Sequence, residues 1–255
     1  MHSQLEDLQK CGKCNVSPEV LDRNKLSALR RNLPTLFYGK PIEGKVAVVA
    51  GGPSVKDSLE ELRNFDGYLI AINGTHNWLI ENDIVPDACI IVDAKPTVTD
   101  LFKNPHKDTT YLVSSSCDPS LFDTLENNKV ILWNVSKDEK PNGTLSIITG
   151  PSAVTTAPSL LYVRGDRDIH FYGVDSSLSE LDSHIYSSGN VGTVGKERLQ
   201  VLVGGEVYLS TGAFVIQATS LWELNKSYKG HLNMTIHGYG LAKAIFDNNG
   251  EFEII

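Results

Sequence analysis

The sequence predicts a doubly wound α/β fold, in which a mostly parallel sheet carries helices on both faces. Short apolar runs recur along the chain, and each is followed by a turn and a helical pattern. Several runs are apolar at every position, as in 46–50 and 69–72. Strands that are covered on both faces have this composition, and their alternation with helices is typical of parallel sheets.

The elements follow in a regular order. Apolar runs predict seven strands, at 45–50, 68–73, 88–93, 110–114, 130–135, 168–173 and 233–237. Helical periodicity predicts amphipathic helices at about 54–64, 75–83, 118–127, 152–164 and 210–226. Strand and helix alternate at the spacing of βαβ units, which predicts a Rossmann-like sheet.

Two segments lie outside the alternation. Residues 17–33 predict a separate helix capped by Ser17, so we interpret 1–40 as an N-terminal helical extension. The remainder, 41–255, is predicted to be one Rossmann-like domain. Within it, about 176–206 is rich in Ser, Gly and charged residues and has weak periodicity, which is typical of a lid or binding loop.

Composition excludes several classes of protein. The chain has 255 residues, of which 41% are hydrophobic and 21% charged, as in ordinary globular proteins. A formal net charge of -8 argues against general nucleic-acid binding. No run approaches the roughly 20 apolar residues of a membrane span, and the polar, acidic start lacks the pattern of a secretory signal. We therefore expect a cytoplasmic protein with no membrane partner, and a homo-oligomer stays open.

Residues with binding chemistry cluster after the predicted strands. In open parallel sheets, ligands bind beyond the carboxyl ends of the strands. The residues at these positions are small, amide or hydroxyl residues that let backbone N–H groups approach a phosphate. They are Gly51, Gly52, Pro53, Ser54, Asn73, Gly74, Ser114, Gly150, Ser152 and Gly173. The first turn matches neither a dinucleotide fingerprint nor a phosphate-binding loop of the Walker type, so a tight turn without a ligand is the alternative.

Three ionisable residues are candidates for chemistry. Asp93 and Asp175 each end a predicted strand, and two carboxylates at one crevice can hold Mg²⁺ while substrate phosphates complete its shell. The alternative is that they cap helices or bind ribose hydroxyls. His184 lies on the long loop after Asp175, where an imidazole can take a proton from an attacking hydroxyl; the alternative is an ordinary surface histidine.

The ordered motifs resemble the MptE-like family. They are Val48-Val49-Ala50-Gly51-Gly52-Pro53-Ser54, Ala71-Ile72-Asn73-Gly74, Val85-Pro86-Asp87 leading into Val92-Asp93, and Phe171-Tyr172-Gly173-Val174-Asp175. The resemblance covers about 40–245. That family includes archaeal 6-hydroxymethyl-7,8-dihydropterin pyrophosphokinases and flagellin-modifying motility accessory factors. The compact chain and its late Ile236-His237-Gly238-Tyr239-Gly240-Leu241 resemble the phage-type members most.

The resemblance implies a nucleotide-dependent transferase. In the pyrophosphokinase version, a substrate hydroxymethyl attacks ATP while Asp93 and Asp175 hold Mg²⁺. The motif order is also similar to bacterial sialyltransferases that use a cytidine-monophosphate sugar. In that version the nucleotide lies on Gly51–Ser54 and Asn73, with a further contact at 150–152, and His184 is the base for an acceptor hydroxyl. The implied partners are a nucleotide and a hydroxyl-bearing acceptor.

Two further hypotheses stay open. The chain can be a non-catalytic module that binds a nucleotide or sugar nucleotide, since fold alone does not imply function. It can also be an interaction protein that uses the basic residues of 23–31, although a solvated helix face is the more common explanation of such charges.

Overall fold

An eight-stranded sheet forms the centre of the protein, whose computed structural model describes residues 16–135, 146–147, 150–178 and 197–255. The strands are β1 (Lys45–Val49), β2 (Gly67–Ile72), β3 (Ala88–Ile91), β4 (Thr110–Ser114), β5 (Lys129–Val135), β6 (Ser146–Ile147), β7 (Asp168–Tyr172), β8 (Arg198–Val203), β9 (Glu206–Thr211), β10 (Asn233–Ile236) and β11 (Glu253–Ile254). The α-helices are α1 (Pro18–Leu29), α2 (Leu59–Arg63), α3 (Thr75–Glu81), α4 (Pro119–Thr124), α5 (Ala153–Arg164), α6 (Gly212–Ser227) and α7 (Leu241–Asp247). Two 3₁₀ helices span Pro53–Ser58 and Pro96–Leu101.

The large sheet is parallel throughout and confirms the predicted fold class. Its strand order is β10-β7-β1-β2-β3-β4-β5-β6. β1 lies between β2 and β7, with Val48 opposite Ile70 on one side and Phe171 on the other. All seven predicted strands form, and they begin and end within two residues of the predicted limits. Continuous apolar runs predicted these strands because both faces of the sheet are covered.

Helices cover the two faces in two groups. Val49 packs in one core cluster with Leu121 of α4, and α2 and α3 contribute to the same face. Val48 packs in the other cluster with Leu160 of α5 and Val215 of α6. Neighbouring residues of one strand thus face opposite layers, as the pleat requires. Within the described ranges, every helix is too short or too polar to span a lipid bilayer.

A small antiparallel sheet replaces part of the predicted lid. β8 pairs with β9 in a hairpin, and β11 adds to the other side of β8. The expectation of an irregular loop up to residue 206 is therefore wrong from residue 198 onward. The turn is Gly204-Gly205, with φ of 58° and 88°, and such a pair suits a two-residue hairpin turn. Val201 and Val203 are buried on one side of β8, an alternation that could have identified the strand.

The N-terminal helix α1 is joined to the sheet by a buried amide. Asn24 is 0% exposed, and its Nδ2 donates to the carbonyls of Ala94 at 3.2 Å and Ser116 at 3.1 Å. These carbonyls belong to the turns after β3 and β4. Residues 34–36 then pair with Leu132 of β5 through two backbone hydrogen bonds. The division of the chain at residue 40 stays a prediction.

We expect Asn24→Ala to destabilise the protein by about 1–3 kcal/mol, because two buried carbonyls lose their donor. Urea unfolding followed by circular dichroism measures the change. Arg23→Ala, at an exposed position of the same helix, is the matched control and is expected to change stability by less than about 0.5 kcal/mol. Equal midpoints for the two variants would show that Asn24 does not tie α1 to the sheet.

Candidate functional site

The strand order places the candidate site at a topological switch point. From β1 the chain runs outward through β2 to β6, and it then returns to β7 on the other side of β1. In open α/β sheets the crevice at such a reversal, outside the carboxyl ends of the strands, is where ligands bind. The turns after β7, β1 and β2 meet there, so Gly173, Gly52 and Asn73 lie on one edge of the sheet, as predicted.

The turn after β1 packs closely against the turn after β7. The N–H of Gly52 donates to the carbonyl of Gly173 at 2.8 Å. A Cβ atom on Gly52 would lie 2.5 Å from that carbonyl oxygen and 2.7 Å from Cγ of Asp175. Glycine at this position therefore lets the two turns approach each other. Gly51 is buried beside it, and Pro53 opens the 3₁₀ helix.

Asp175 binds Ser54. The N–H of Ser54 donates to Oδ2 of Asp175 at 2.9 Å, and the Ser54 hydroxyl donates to Oδ1. Ser54 and Asp175 are 1% and 4% exposed. Because Ser54 gives its N–H and its hydroxyl to the carboxylate, neither is directed to a ligand in this arrangement. The structure thus gives Ser54 and Asp175 a role in joining β1 to β7, which departs from the phosphate contact expected for Ser54.

Burial dominates the electrostatics of Asp175. Desolvation raises the pKa of its carboxyl group above the ordinary aspartate value, and the nearby Asp57 raises the pKa further. The two hydrogen bonds from Ser54 act in the opposite direction because they stabilise the ionised form. The net direction is upward, so the fold retains the charged carboxylate at a cost.

The turn after β2 contributes polar atoms without partners. Asn73 has a positive φ of 47°, a conformation that asparagine tolerates better than most residues. Its backbone is held by a hydrogen bond from its N–H to the carbonyl of Ile90, and its own carbonyl accepts from the N–H of His76. Among the described residues, Oδ1 of Asn73 and Oγ1 of Thr75 are buried with no hydrogen-bond partner. Buried polar atoms usually have partners, so this pair indicates a place where a ligand or water binds.

The two predicted metal ligands lie apart. Asp175 follows β7 and Asp93 follows β3, and β1 and β2 lie between these strands. Three inter-strand spacings correspond to about 14 Å, whereas Mg²⁺ binds oxygen at about 2 Å. Oδ1 of Asp93 accepts the N–H of Lys95 at 3.0 Å, within its own turn. The two carboxylates therefore do not fit one ion in this arrangement.

The other predicted site residues at this edge make local contacts. Oγ of Ser114 lies 2.8 Å from Oγ of Ser116. Ser152 caps α5 through Thr155, and a Cβ on Gly150 would lie 2.3 Å from Oγ1 of Thr155. Gly74 is buried ahead of α3.

The catalytic prediction for His184 falls on a residue outside the described part of the chain.

A fourth turn, after β10, belongs to the site and was not predicted as a site element. A Cβ on Gly238 would lie 2.7 Å from Oγ of Ser54, and one on Gly240 would lie 2.5 Å from the carbonyl oxygen of Asp175. The N–H of Ala242 donates to that same carbonyl at 3.2 Å. The signal in the sequence is a Gly-Tyr-Gly directly after a predicted strand, as Gly51-Gly52 directly follows β1.

One solved structure supports this architecture. A structure of a MAf glycosyltransferase from Magnetospirillum magneticum AMB-1 is similar with a TM-score of 0.70 at 17% identity, over 92% of this chain. The match covers 39% of that protein, so this chain spans about two fifths of its length. A mammalian sialyltransferase in complex with a Gal-beta-1-3GalNAc derivative aligns over 94% of this chain and 85% of its own, at 10% identity and a TM-score of 0.41.

The similarity to the MAf glycosyltransferase shows a shared fold and nothing more. The similarity to the sialyltransferase is too weak to show a shared fold. None of the curated proteins searched matches the sequence. The family model described as 6-hydroxymethylpterin diphosphokinase MptE-like matches residues 21–180, which is more than half of the chain. The resemblance in the sequence motifs is thereby confirmed, and the chain belongs to the MptE-like family.

Proposed function

We propose that this protein is a nucleotide-dependent transferase that binds a nucleotide or nucleotide sugar across the carboxyl ends of β7, β1 and β2. Membership of the MptE-like family supports a transferase-type role. The observation that carries the nucleotide part is the switch-point crevice, where glycine turns meet beside the unpartnered Asn73 Oδ1 and Thr75 Oγ1. The amide oxygen of Asn73 can accept from a sugar hydroxyl, and the hydroxyl of Thr75 can donate to a phosphate oxygen.

Two forms of group transfer fit this proposal. In the diphosphokinase form, a hydroxymethyl oxygen bonds to the β-phosphorus of ATP and releases its proton to solvent. The bond from that phosphorus to the α–β bridging oxygen breaks, and AMP leaves. In the glycosyl form, an acceptor oxygen bonds to the anomeric carbon of a nucleotide sugar, and the nucleotide leaves with the bonding electrons. His184 is the candidate base for the hydroxyl proton in the glycosyl form. The MAf glycosyltransferase with the same fold makes the glycosyl form worth testing first.

A second candidate is a non-catalytic module that binds the same ligands. The observation that favours it is that both oxygens of Asp175 accept hydrogen bonds from Ser54, so this carboxylate is already engaged within the fold. Release of AMP from ATP, or of CMP from a CMP-sugar, in the presence of acceptor separates a transferase from such a module.

We expect at least one nucleotide to raise the melting temperature of the protein. A ligand at 100 times its dissociation constant adds about 2.7 kcal/mol of stability, which amounts to several degrees for a chain of this size. The measurement is a thermal-shift screen with ATP, CTP, CMP and nucleotide sugars, each with and without Mg²⁺. Unchanged melting with every compound would contradict the proposal.

Gly52→Ala is expected to weaken the nucleotide response by at least about tenfold in affinity, because a Cβ here collides with the turn after β7. Titration calorimetry with the nucleotide found in the screen measures the loss. Gly205→Ala is the control for backbone strain alone, since its φ of 88° disfavours a side chain while a Cβ at that hairpin glycine meets nothing within 4 Å. Equal affinities for the two variants would remove the β1 turn from the site.

Asp175→Asn is expected to preserve the fold, because an amide can accept from the Ser54 N–H and donate to its hydroxyl. Since folding raises the pKa of Asp175, the native state holds its proton to higher pH than the unfolded chain. The stability of the wild type relative to the variant should therefore fall as pH rises above the ordinary aspartate range. Urea unfolding between pH 4 and pH 7 measures this difference.

Asp175→Ala is the companion variant. It leaves two donors of Ser54 unpaired, at a cost of about 1–3 kcal/mol of folding stability.

A pH-independent difference in stability between wild type and Asp175→Asn would contradict the electrostatic account. Turnover that is lost in Asp175→Asn while stability is retained would assign the carboxylate a direct chemical role instead.

A further inference from the structure

An exposed tyrosine lies between two glycines that contact the turns after β1 and β7. These two turns are linked by Ser54 and Asp175, and we call them the joined turns. Gly238 and Gly240 have φ of 82° and 114°, which side chains other than glycine rarely adopt. Both press against the pair that joins β1 to β7, Gly238 on Ser54 and Gly240 on Asp175. Tyr239 stands between them and is 56% exposed. The backbone on both sides of this ring is therefore immobilised on the candidate site.

The residue before these glycines is anchored as well. The ring of His237 stacks on Tyr172 with a centroid distance of 4.3 Å, and its Nε2 lies 2.8 Å from Nδ1 of His170. Tyr172 in turn donates its hydroxyl to Glu61 of α2 at 2.6 Å. Anchors on both sides reduce the entropy that the loop would lose on binding a ligand, so an aromatic ring presented here is preorganised.

The charges near Tyr239 decide which part of a ligand fits there. Partial burial raises the pKa of the Tyr239 phenol, and the carboxylates of Asp175 and Asp57 raise it further. The Asp175 and Asp57 carboxylates are thus the charges that act on this ring. A phosphate placed on the ring would approach these two carboxylates, whereas an uncharged planar group would not be repelled by them. The unpartnered atoms of Asn73 and Thr75 lie at the turn after β2, on the opposite side of β1 from β7 and β10.

We propose that Tyr239 is the aromatic platform on which the base of the nucleotide packs, with the phosphates directed toward the turn after β2. This inference rests on the proposed function, and it adds the orientation of the ligand and a base-binding residue at the β10 side of the site. Stacking of a base on an aromatic side chain tolerates different bases, because every base presents a π face. Selection among bases then falls to polar neighbours rather than to the ring.

Tyr239→Ala tests the inference. We expect its affinity for 5′-CMP and 5′-AMP to fall on the order of tenfold, as for the loss of one base–aromatic stack, with Tyr239→Phe staying within about twofold of wild type. Affinity for ribose 5-phosphate, which has no base, should not change in either variant. Titration calorimetry measures all three ligands. Tyr38→Ala, at another tyrosine that is 59% exposed, is the matched control.

The outcomes separate this inference from the proposed function. Equal binding of nucleotides by wild type and Tyr239→Ala overturns the role of Tyr239 and leaves the nucleotide site standing. An equal loss for ribose 5-phosphate also overturns it, because the ring would then contact the sugar or the phosphate. If wild type binds neither nucleotide while melting unchanged with all compounds of the screen, both proposals fail.

Discussion

The contact between Asp175 and Ser54 is the constraint on which the candidate site depends. It joins residues 121 positions apart and brings the turns after β7 and β1 together at the switch point of the sheet. Asp175 is only 4% exposed, and a buried carboxylate is unfavourable unless it accepts hydrogen bonds. Here the N–H and the hydroxyl of Ser54 donate to it. Glycine at positions 52, 238 and 240 follows from this contact, because a side chain at any of them would occupy the space of the pair.

This constraint separates the residues that build the site from those that are available to a ligand. Ser54 and Asp175 satisfy each other, and Ser152 is engaged as the cap of α5. Two of the buried polar atoms that lack partners in the described residues, Asn73 Oδ1 and Thr75 Oγ1, lie at the turn after β2, while the exposed ring of Tyr239 lies on the other side of β1. A ligand that contacts both Asn73 and Tyr239 would lie across the joined turns. Glycine-rich turns can thus act by allowing the close approach of protein backbone as well as of phosphate.

The fold was predictable from the sequence because strands that are buried on both faces of a parallel sheet are apolar at nearly every position. Val46–Ala50 and the similar runs could hardly form other elements, and the switch point placed the turns that follow them on one edge. The β8–β9 hairpin was missed because its strands are half exposed, although the Gly204-Gly205 turn lies between the apolar runs 201–203 and 207–209. The partner of Ser54 could not be read from local pattern, since a cap is usually supplied from within the same turn. The separation of Asp93 from Asp175 required the strand order, which periodicity alone does not give.

Hydrogen exchange with and without a bound nucleotide tests the central claim most directly, since it reports where on the sheet the ligand acts. The account predicts added protection of backbone amides at 73–76 and 237–241, on both sides of the joined turns, at saturating nucleotide. Protection confined to the opposite edge of the sheet, at 225–233, or no change at the carboxyl ends of the strands, would contradict it.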